Sequence, residues 1–136
     1  GRLAPQVVYY FRAYGDLVKS GRIHLGDVVD YTVPTGNFGD ILAGYYAKQM
    51  GLPVGKLVCA SNQNNVLTDF LTTGTYTAKR EFFKTTSPSM DILVSSNLER
   101  LLYECADRDG ALVRTWMEQL SSCGSFSRRV SNLSRR

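Results

Sequence analysis

The chain has 136 residues, of which 43% are hydrophobic and 21% charged, a composition typical of one globular domain with its own core. No apolar run approaches the length of a membrane span, and the first residues lack the pattern of a signal peptide. The net charge of +4 comes from four arginines within residues 125–136, so the rest of the chain is neutral and lacks the basic face that nucleic-acid binding requires.

The cysteine and histidine content argues against a disulfide framework and against a zinc site. Cys59, Cys105 and Cys123 are odd in number and have no CxxC spacing, so we expect small apolar side chains of a reduced, cytoplasmic protein. With His24 as the only histidine, a Cys/His zinc site is not expected, and no metal site is predicted.

The first half of the chain predicts a strand–helix–strand unit. Apolar residues recur at helical spacing over 3–20. Residues 28–33 form a β-branched strand closed by Pro34, and residues 56–61 form a second, short apolar strand. Between them, 40–50 is a helix that is apolar nearly all round, which is typical of a helix packed on more than one side. We therefore expect an α/β fold built on a βαβ unit with two parallel strands.

The second half predicts mainly helices. Residues 66–73 form a short helix, and residues 75–88 are polar and irregular by pattern. Ser96, with Glu99 three residues later, is a capping box that begins the next helix. Gly110 breaks that helix, and a final helix follows it.

The strongest candidate site is the turn between the first strand and the second helix. It consists of Thr35, Gly36, Asn37, Phe38, Gly39 and Asp40. The glycines permit positive φ and leave no Cβ to block a close ligand. A turn of this kind before a helix presents unpaired N–H groups and the positive end of the helix dipole, which favours a phosphate. The same residues also suit an ordinary strand–turn–helix connection.

Two side chains of this turn have expectations of their own. Asn37 offers an amide donor, whereas Asp40 would repel a phosphate, so we expect Asp40 to point away and to cap the helix. Two rival phosphate motifs are excluded by content. No Gly-Lys-Ser/Thr follows the glycines, as a P-loop requires. The second strand ends at residues 60–62 without the carboxylate that a dinucleotide fingerprint requires.

A second candidate group is formed by Asn62, Asn64 and Asn65, directly after the second strand. Ligands of open α/β sheets bind at this carboxyl edge, where the loops meet. Asparagine is also common in turns, because it tolerates the left-handed conformation and bonds to its own backbone. Both interpretations are open from the sequence.

Four stretches in this order resemble the threonine synthase family. They are Val33-Pro34-Thr35-Gly36-Asn37-Phe38-Gly39-Asp40-Ile41-Leu42-Ala43-Gly44, Ala60-Ser61-Asn62-Gln63-Asn64-Asn65-Val66-Leu67, Ser87-Pro88-Ser89-Met90-Asp91 and Ser95-Ser96-Asn97-Leu98-Glu99-Arg100-Leu101. Such a match is more specific than a lone GxxG turn. That family is a pyridoxal-phosphate (PLP) enzyme of the tryptophan-synthase-β-like fold, or PLP fold type II. The resemblance implies a parallel-sheet βαβ piece of such a catalytic domain, followed by C-terminal helices.

The resemblance also implies roles for individual residues. The turn from Thr35 to Asp40 would hold the 5′-phosphate of the cofactor. Arg2 would contact the phosphate of the substrate, O-phospho-L-homoserine, because a planar guanidinium suits bidentate phosphate recognition; a solvated arginine at a helix start is the alternative. The implied reaction converts this substrate and water to L-threonine and phosphate, a lyase step of threonine biosynthesis.

By the same resemblance the chain is expected to be a fragment. The match extends to about residue 124, the first residue is glycine rather than methionine, and in the family the Schiff-base lysine lies upstream of the matched segment. Residues 1–124 are thus expected to be part of the catalytic domain, and residues 125–136 a disordered basic tail. Without that lysine the fragment is expected to be inactive alone, its partner being the remainder of the same enzyme chain.

An alternative from a different class is a non-catalytic RNA-binding module that uses residues 36–39 as a GXXG loop. In KH domains, however, that loop connects two helices, whereas this turn follows a strand, and the body of the chain is neutral. The sequence therefore favours a small-molecule enzyme over nucleic-acid or membrane binding.

Overall fold

The computed structural model describes residues 2–128, which form five α-helices and four strands. The helices are α1 (Ala4–Lys19), α2 (Gly39–Gln49), α3 (Val66–Thr73), α4 (Leu98–Cys105) and α5 (Gly110–Cys123), and a short 3₁₀ helix covers Pro88–Met90. The strands are β1 (Val29–Pro34), β2 (Val54–Ala60), β3 (Thr75–Thr77) and β4 (Ser125–Ser127). Within this part of the chain, no helix combines the length and the apolar character needed to cross a membrane.

The elements β1, α2 and β2 form the predicted βαβ unit. The two strands pair in parallel, from Val29 opposite Val54 to Pro34 opposite Ala60, with a register shift before Tyr31. Each boundary lies within about two residues of its predicted position. The predicted mixed α/β fold with a parallel sheet is confirmed. Because the strands run in the same direction, their carboxyl ends lie at one edge of the sheet, where the turn before α2 begins.

Helix α1 packs closely against α2. Tyr10 and Tyr14 are its buried residues, and a Cβ added at Gly44 of α2 would lie only 2.7 Å from the Tyr10 ring. The Tyr10 hydroxyl donates to the backbone oxygen of Asp40 at 2.8 Å and to its carboxylate at 3.1 Å. Burial, and next the Asp40 charge, raise the pKa of Tyr10 above its ordinary value, so the hydroxyl remains a donor. The first turn of α2 is thereby fixed by α1.

An aromatic cluster organises the second half of the chain. Tyr76 stacks on Phe126 with 5.6 Å between ring centroids, and Phe126 stacks on Trp116 at 6.3 Å. Phe70 meets the edge of Tyr76 at 5.7 Å. The antiparallel pairing of β3 with β4 places Tyr76 directly opposite Phe126. The cluster therefore joins α3, α5 and two short strands in one core.

The prediction that residues 125–136 are disordered is wrong for their first part. Ser125–Ser127 form β4, and Phe126 is buried. The backbone N–H of Arg128 donates to the Gly74 oxygen at 2.7 Å, and its guanidinium lies 4.6 Å from the centroid of the Trp116 ring. Residues 129–136 lie outside the described part of the chain. The segment is polar overall, but its one aromatic residue, Phe126, is buried, and burial of such a side chain contributes about 2 kcal/mol.

The start of α4 also differs from the prediction. The helix begins at Leu98 after Asn97, without a side-chain cap, so Ser96 and Glu99 do not form the predicted capping box. The side-chain amide of Asn97 donates instead to the backbone oxygen of Asn37 at 3.1 Å. At the start of α4, a contact between Asn97 and Asn37, distant in sequence, is found in place of the predicted capping box between Ser96 and Glu99.

Candidate functional site

The turn of residues 35–40 connects the end of β1 to the start of α2 at the carboxyl edge of the parallel strands. Thr35 is held by the sheet, because its N–H donates to the Ala60 oxygen at 2.7 Å and its hydroxyl to the Val33 oxygen at 2.7 Å. Both of these hydrogens are used within the protein. Thr35 therefore anchors the turn and is not one of its free donors.

The two glycines provide space and not backbone rotation. Neither Gly36 nor Gly39 has positive φ, so the turn does not use the backbone freedom that glycine permits. A Cβ at Gly36 would lie 3.1 Å from Ile92 Cδ1 and 3.3 Å from Met90 Cα, and a Cβ at Gly39 would lie 3.2 Å from Asn37 Oδ1. A side chain at either position would press on groups that approach the backbone of the turn this closely.

The left-handed residue of the turn is Phe38, at φ 65° and ψ 10°. Positive φ is strained for a bulky residue, and burial of the ring, which is 5% exposed, offsets that strain. Successive N–H groups in such a turn form an anion-binding concavity. In the described chain, the N–H groups of Gly36, Asn37, Phe38 and Asp40 have no protein acceptor. These groups are the donors that the turn offers to an anion at the start of a helix.

Asn37, and not Asp40, satisfies the start of α2. The side-chain oxygen of Asn37 accepts from the Gly39 N–H at 2.9 Å and so satisfies a donor of the first helical turn, which was the role predicted for Asp40. The carboxylate of Asp40 accepts from the Tyr10 hydroxyl of α1 at 3.1 Å. The negative charge closest in sequence to the free donors is therefore engaged by a neighbouring helix.

A second segment, residues 95–97, binds the carbonyl oxygens of the turn. Ser95 is 8% exposed and donates its hydroxyl to the Gly36 oxygen at 2.6 Å. The backbone N–H and the side-chain amide of Asn97 each donate to the Asn37 oxygen at 3.1 Å. Sequence reasoning assigned no role to either side chain. Their signals were their place in one of the four stretches that carry the family resemblance and a serine and an asparagine just before a predicted helix, which is also the pattern of an ordinary cap.

The asparagines after β2 bind to a neighbouring loop. The amides of Asn62 and Asn64 donate to the Asp91 carboxylate at 2.8 and 3.2 Å, and Asn62 Oδ1 accepts from the Asn64 N–H at 2.9 Å. Thr85 adds its N–H and its hydroxyl to the same carboxylate, each at 2.8 Å. These donors, the Thr85 N–H first, hold the pKa of Asp91 below its ordinary value. Asn65 accepts instead from the Arg80 guanidinium at 3.0 Å. Two interpretations of these asparagines were open, a ligand site and a role in the loop itself. The structure supports the role in the loop.

This network reaches the turn through the residues on either side of Asp91. Met90 and Ile92 are the neighbours that approach Gly36 most closely. All four stretches that carry the family resemblance therefore meet at one place. Residues 33–44 contain the turn, 95–101 bind its carbonyl oxygens, 87–91 approach Gly36, and 60–67 hold 87–91.

Arg2 lies beside the site but does not bind within it. It is exposed, and among the described residues it has no hydrogen-bond or ion-pair partner. Its neighbour Leu3 reaches the turn, since a Cβ at Gly39 would lie 3.5 Å from Leu3 Cδ2. The five lysines are exposed or half-buried, and Lys48 donates to the Gly55 oxygen at 3.0 Å. Residues 2–128 contain no cluster of histidine, cysteine and carboxylate side chains that could hold a metal.

The arrangement is therefore suited to bind a phosphate through the main chain. The donors are uncharged N–H groups, the start of α2 adds partial positive charge, and the glycines leave the backbone open. The Thr35 hydroxyl donates to the Val33 oxygen and the Asp40 carboxylate accepts from the Tyr10 hydroxyl, so both of these side chains are engaged within the protein.

The chain resembles curated threonine synthases over most of its length. Threonine synthase-like 1 of Macaca fascicularis is 57% identical over 127 residues, which are 93% of this chain and 17% of that protein. The threonine synthase of Eremothecium gossypii is 48% identical over 130 residues, 88% of this chain and 24% of that protein. No protein-family model matches the chain.

A solved structure extends the similarity from sequence to fold. The PLP-bound threonine synthase of Brucella melitensis superposes on 98% of this chain with a TM-score of 0.88 and 50% identity. The chain is homologous to a segment of threonine synthase. Its fold is accordingly a piece of the tryptophan-synthase-β-like fold of PLP enzymes. The matched segment is 27% of the Brucella chain, and 17% and 24% of the two curated threonine synthase relatives described above. The comparisons offer no support for an RNA-binding module.

Proposed function

We propose that the turn of residues 35–40 binds the 5′-phosphate of PLP as part of a PLP-dependent threonine synthase. The observation that carries this proposal is a set of N–H groups at the start of α2, those of Gly36, Asn37, Phe38 and Asp40, that have no acceptor within residues 2–128. The Brucella relative was solved with PLP bound, and the match to it includes this turn. In this proposal the phosphate accepts hydrogen bonds from these main-chain groups, which belong to the backbone and not to the side chains of the turn.

The residues present fit the phosphate end of the cofactor. Thr35 holds the turn to β1, Gly36 and Gly39 leave room, and Asn37 orders the first turn of α2. When bound, PLP supplies an electron sink for the reacting substrate, and this segment binds and orients it. We assign the Schiff-base lysine to a part of the enzyme outside this chain, because its own lysines are exposed or bonded elsewhere.

For the whole protein we propose the conversion of O-phospho-L-homoserine and water to L-threonine and phosphate, in the cytoplasm. In this proposal Arg2, which has no partner among the described residues and precedes the Leu3 that reaches the turn, contributes its guanidinium to the substrate phosphate. The relative at 57% identity is named threonine synthase-like 1, a name that states no reaction. A test must therefore measure both products.

The test uses the full-length enzyme that contains this segment. We expect it to bind PLP and to release phosphate and L-threonine in equal amounts from O-phospho-L-homoserine. If the enzyme binds PLP and releases phosphate but no threonine, the proposed reaction is refuted and the proposed PLP site still stands. Absence of PLP binding would refute the site itself. Titration with single-stranded RNA at two salt concentrations should show no binding, whereas tight, salt-dependent binding would favour the RNA-binding alternative.

The isolated chain provides a second test. After addition of PLP and reduction with borohydride, no lysine should be labelled stoichiometrically when the peptides are mapped by mass spectrometry. A Schiff base requires a deprotonated amine held beside the aldehyde, and the exposed lysines of this chain do not meet that condition. Stoichiometric labelling of one lysine, accompanied by turnover, would place the catalytic lysine within this segment.

A further inference from the structure

We propose that Ser95 and Asn97 are positioning residues of the phosphate site. By binding the carbonyl oxygens of Gly36 and Asn37, they direct the N–H groups of Asn37 and Phe38 toward the anion. This role presupposes the phosphate site proposed above and adds to it the residues that set its geometry.

The planarity of the peptide bond links each carbonyl to the N–H across it. In a trans peptide, the C=O of one residue and the N–H of the next lie in one plane and point in opposite directions. The described chain contains no cis peptide. The Gly36 oxygen therefore shares a plane with the Asn37 N–H, and the Asn37 oxygen shares the next plane with the Phe38 N–H. Fixing either oxygen fixes the direction of the opposite N–H.

Both oxygens are bound by the same short segment. Ser95 Oγ lies 2.6 Å from the Gly36 oxygen, in a buried contact. The backbone and amide nitrogens of Asn97 both lie 3.1 Å from the Asn37 oxygen. Across each plane, the N–H has no acceptor among the described residues. Two consecutive peptides thus have a satisfied oxygen on one side and a free donor on the other.

These bonds also change the electrostatics of the site. A peptide plane free to rotate would present its carbonyl oxygen, with partial negative charge, to a phosphate. A hydrogen bond at that oxygen prevents the rotation and polarises the peptide, which strengthens its N–H as a donor. Orientation and polarisation therefore act in the same direction.

Ser95 is itself held by the aromatic cluster. The hydroxyl of Tyr76 accepts from the Ser95 N–H at 2.9 Å and donates to the Leu93 oxygen at 2.8 Å. Tyr76 is 1% exposed and stacks on Phe126. The serine that binds the Gly36 oxygen is thus held by Tyr76, which belongs to the deeply buried aromatic cluster of the second half of the chain.

The test compares PLP with pyridoxal, which has the same ring and aldehyde but no phosphate, in the full-length apoenzyme. Ser95→Ala removes one bond, and Asn97→Leu removes the amide donor to the Asn37 oxygen without adding a charge beside the anion site. Each variant should lower PLP affinity roughly tenfold, the loss expected for one misaligned hydrogen bond to a charged group. Pyridoxal affinity should not change. General structural damage would weaken both ligands alike.

Two further variants serve as matched controls. Ser95→Thr keeps the hydroxyl and should restore the preference for PLP over pyridoxal. Ser122→Ala removes a comparable serine bond, to the Glu118 oxygen at 2.8 Å near the end of α5, and should leave the preference unchanged. If Ser95→Ala does not fold, Asn97→Leu decides the question, because the Asn97 amide contact is at the surface.

The outcomes separate this inference from the proposed function. An unchanged ratio of PLP to pyridoxal affinity in both variants would overturn the positioning role while leaving the phosphate site in place. An equal loss for both ligands would also overturn it, because it would show a structural role only. A wild-type enzyme that binds PLP and pyridoxal alike would refute the phosphate site and the inference together.

Discussion

Replacement of Gly36 by valine tests the main-chain site most directly. A Cβ at this position would lie 3.1 Å from Ile92 Cδ1 and 3.3 Å from Met90 Cα. The end of the Ile92 side chain can move aside. The Met90 backbone cannot move as easily, because the adjacent Asp91 carboxylate accepts from the Thr85 N–H at 2.8 Å. Valine adds two more carbons beyond the Cβ, so we expect the turn itself to shift.

The magnitude follows from the donors that a shift would misalign. Gly36 contributes its own N–H, and its carbonyl lies in the same plane as the Asn37 N–H. A hydrogen bond to a charged group contributes about 1.5–3 kcal/mol. Loss of two such bonds costs about 3 kcal/mol at the lower bound, which corresponds to a fall in PLP affinity of roughly a hundredfold.

The assay is a titration of the full-length apoenzyme with PLP, followed by absorbance. The matched control is Gly15→Val, because Gly15 lies in α1 and a Cβ there would meet nothing within 4 Å. This control should bind PLP as the wild type does. If Gly36→Val and Gly39→Val also bind PLP with unchanged affinity, the backbone donors of this turn do not hold the cofactor.

Three further predictions concern charge, packing and pH. Asp40→Asn keeps an oxygen acceptor for the Tyr10 hydroxyl and removes a negative charge near the donors, so titration should show equal or higher PLP affinity; a marked fall would mean that the carboxylate itself is needed. Phe126→Ala should lower the free energy of unfolding in urea by about 3–5 kcal/mol, whereas Leu112→Ala, at a side chain that is 39% exposed, should cost far less; similar losses would contradict the role of the cluster. Because the folded state raises the pKa of Tyr10 above its ordinary value of 10.0, the native protein keeps a proton that unfolded chains lose, so stability should fall as pH rises above about 10. Unfolding measured across that range should show a shallower fall in Tyr10→Phe, and an identical slope would count against the shift.

The βαβ unit was predictable because its signals are local. β-branched residues, a turn with two glycines and an almost wholly apolar helix follow one another within about thirty residues, which is the length of such a unit. Each of these patterns reports on the conformation of the residues that carry it. The parallel pairing then followed from the connection through a helix, since two strands joined in this way run in the same direction.

The details of the turn were not predictable, because distant residues determine them. Glycine permits positive φ but does not require it, and the need for glycine at position 36 comes from Met90. Asn37 and Asp40 are both residues that satisfy helix-start donors, and the choice between them depends on Tyr10, thirty positions away. The left-handed Phe38 runs against the local preference of its type and depends on burial of its ring. Local sequence contains none of these contacts.

A site built from main-chain donors depends on everything that fixes the main chain. Here the oxygens of two peptides are bound by Ser95 and Asn97, and the space beside Gly36 is set by a loop that Asp91 holds to the sheet. Substituting any of these residues alters the donors without touching the ligand. That dependence gives a physical reason why the resemblance to threonine synthase extends over four stretches. In the proposed site, the turn supplies the atoms that would face a phosphate, and the other three stretches set where those atoms point.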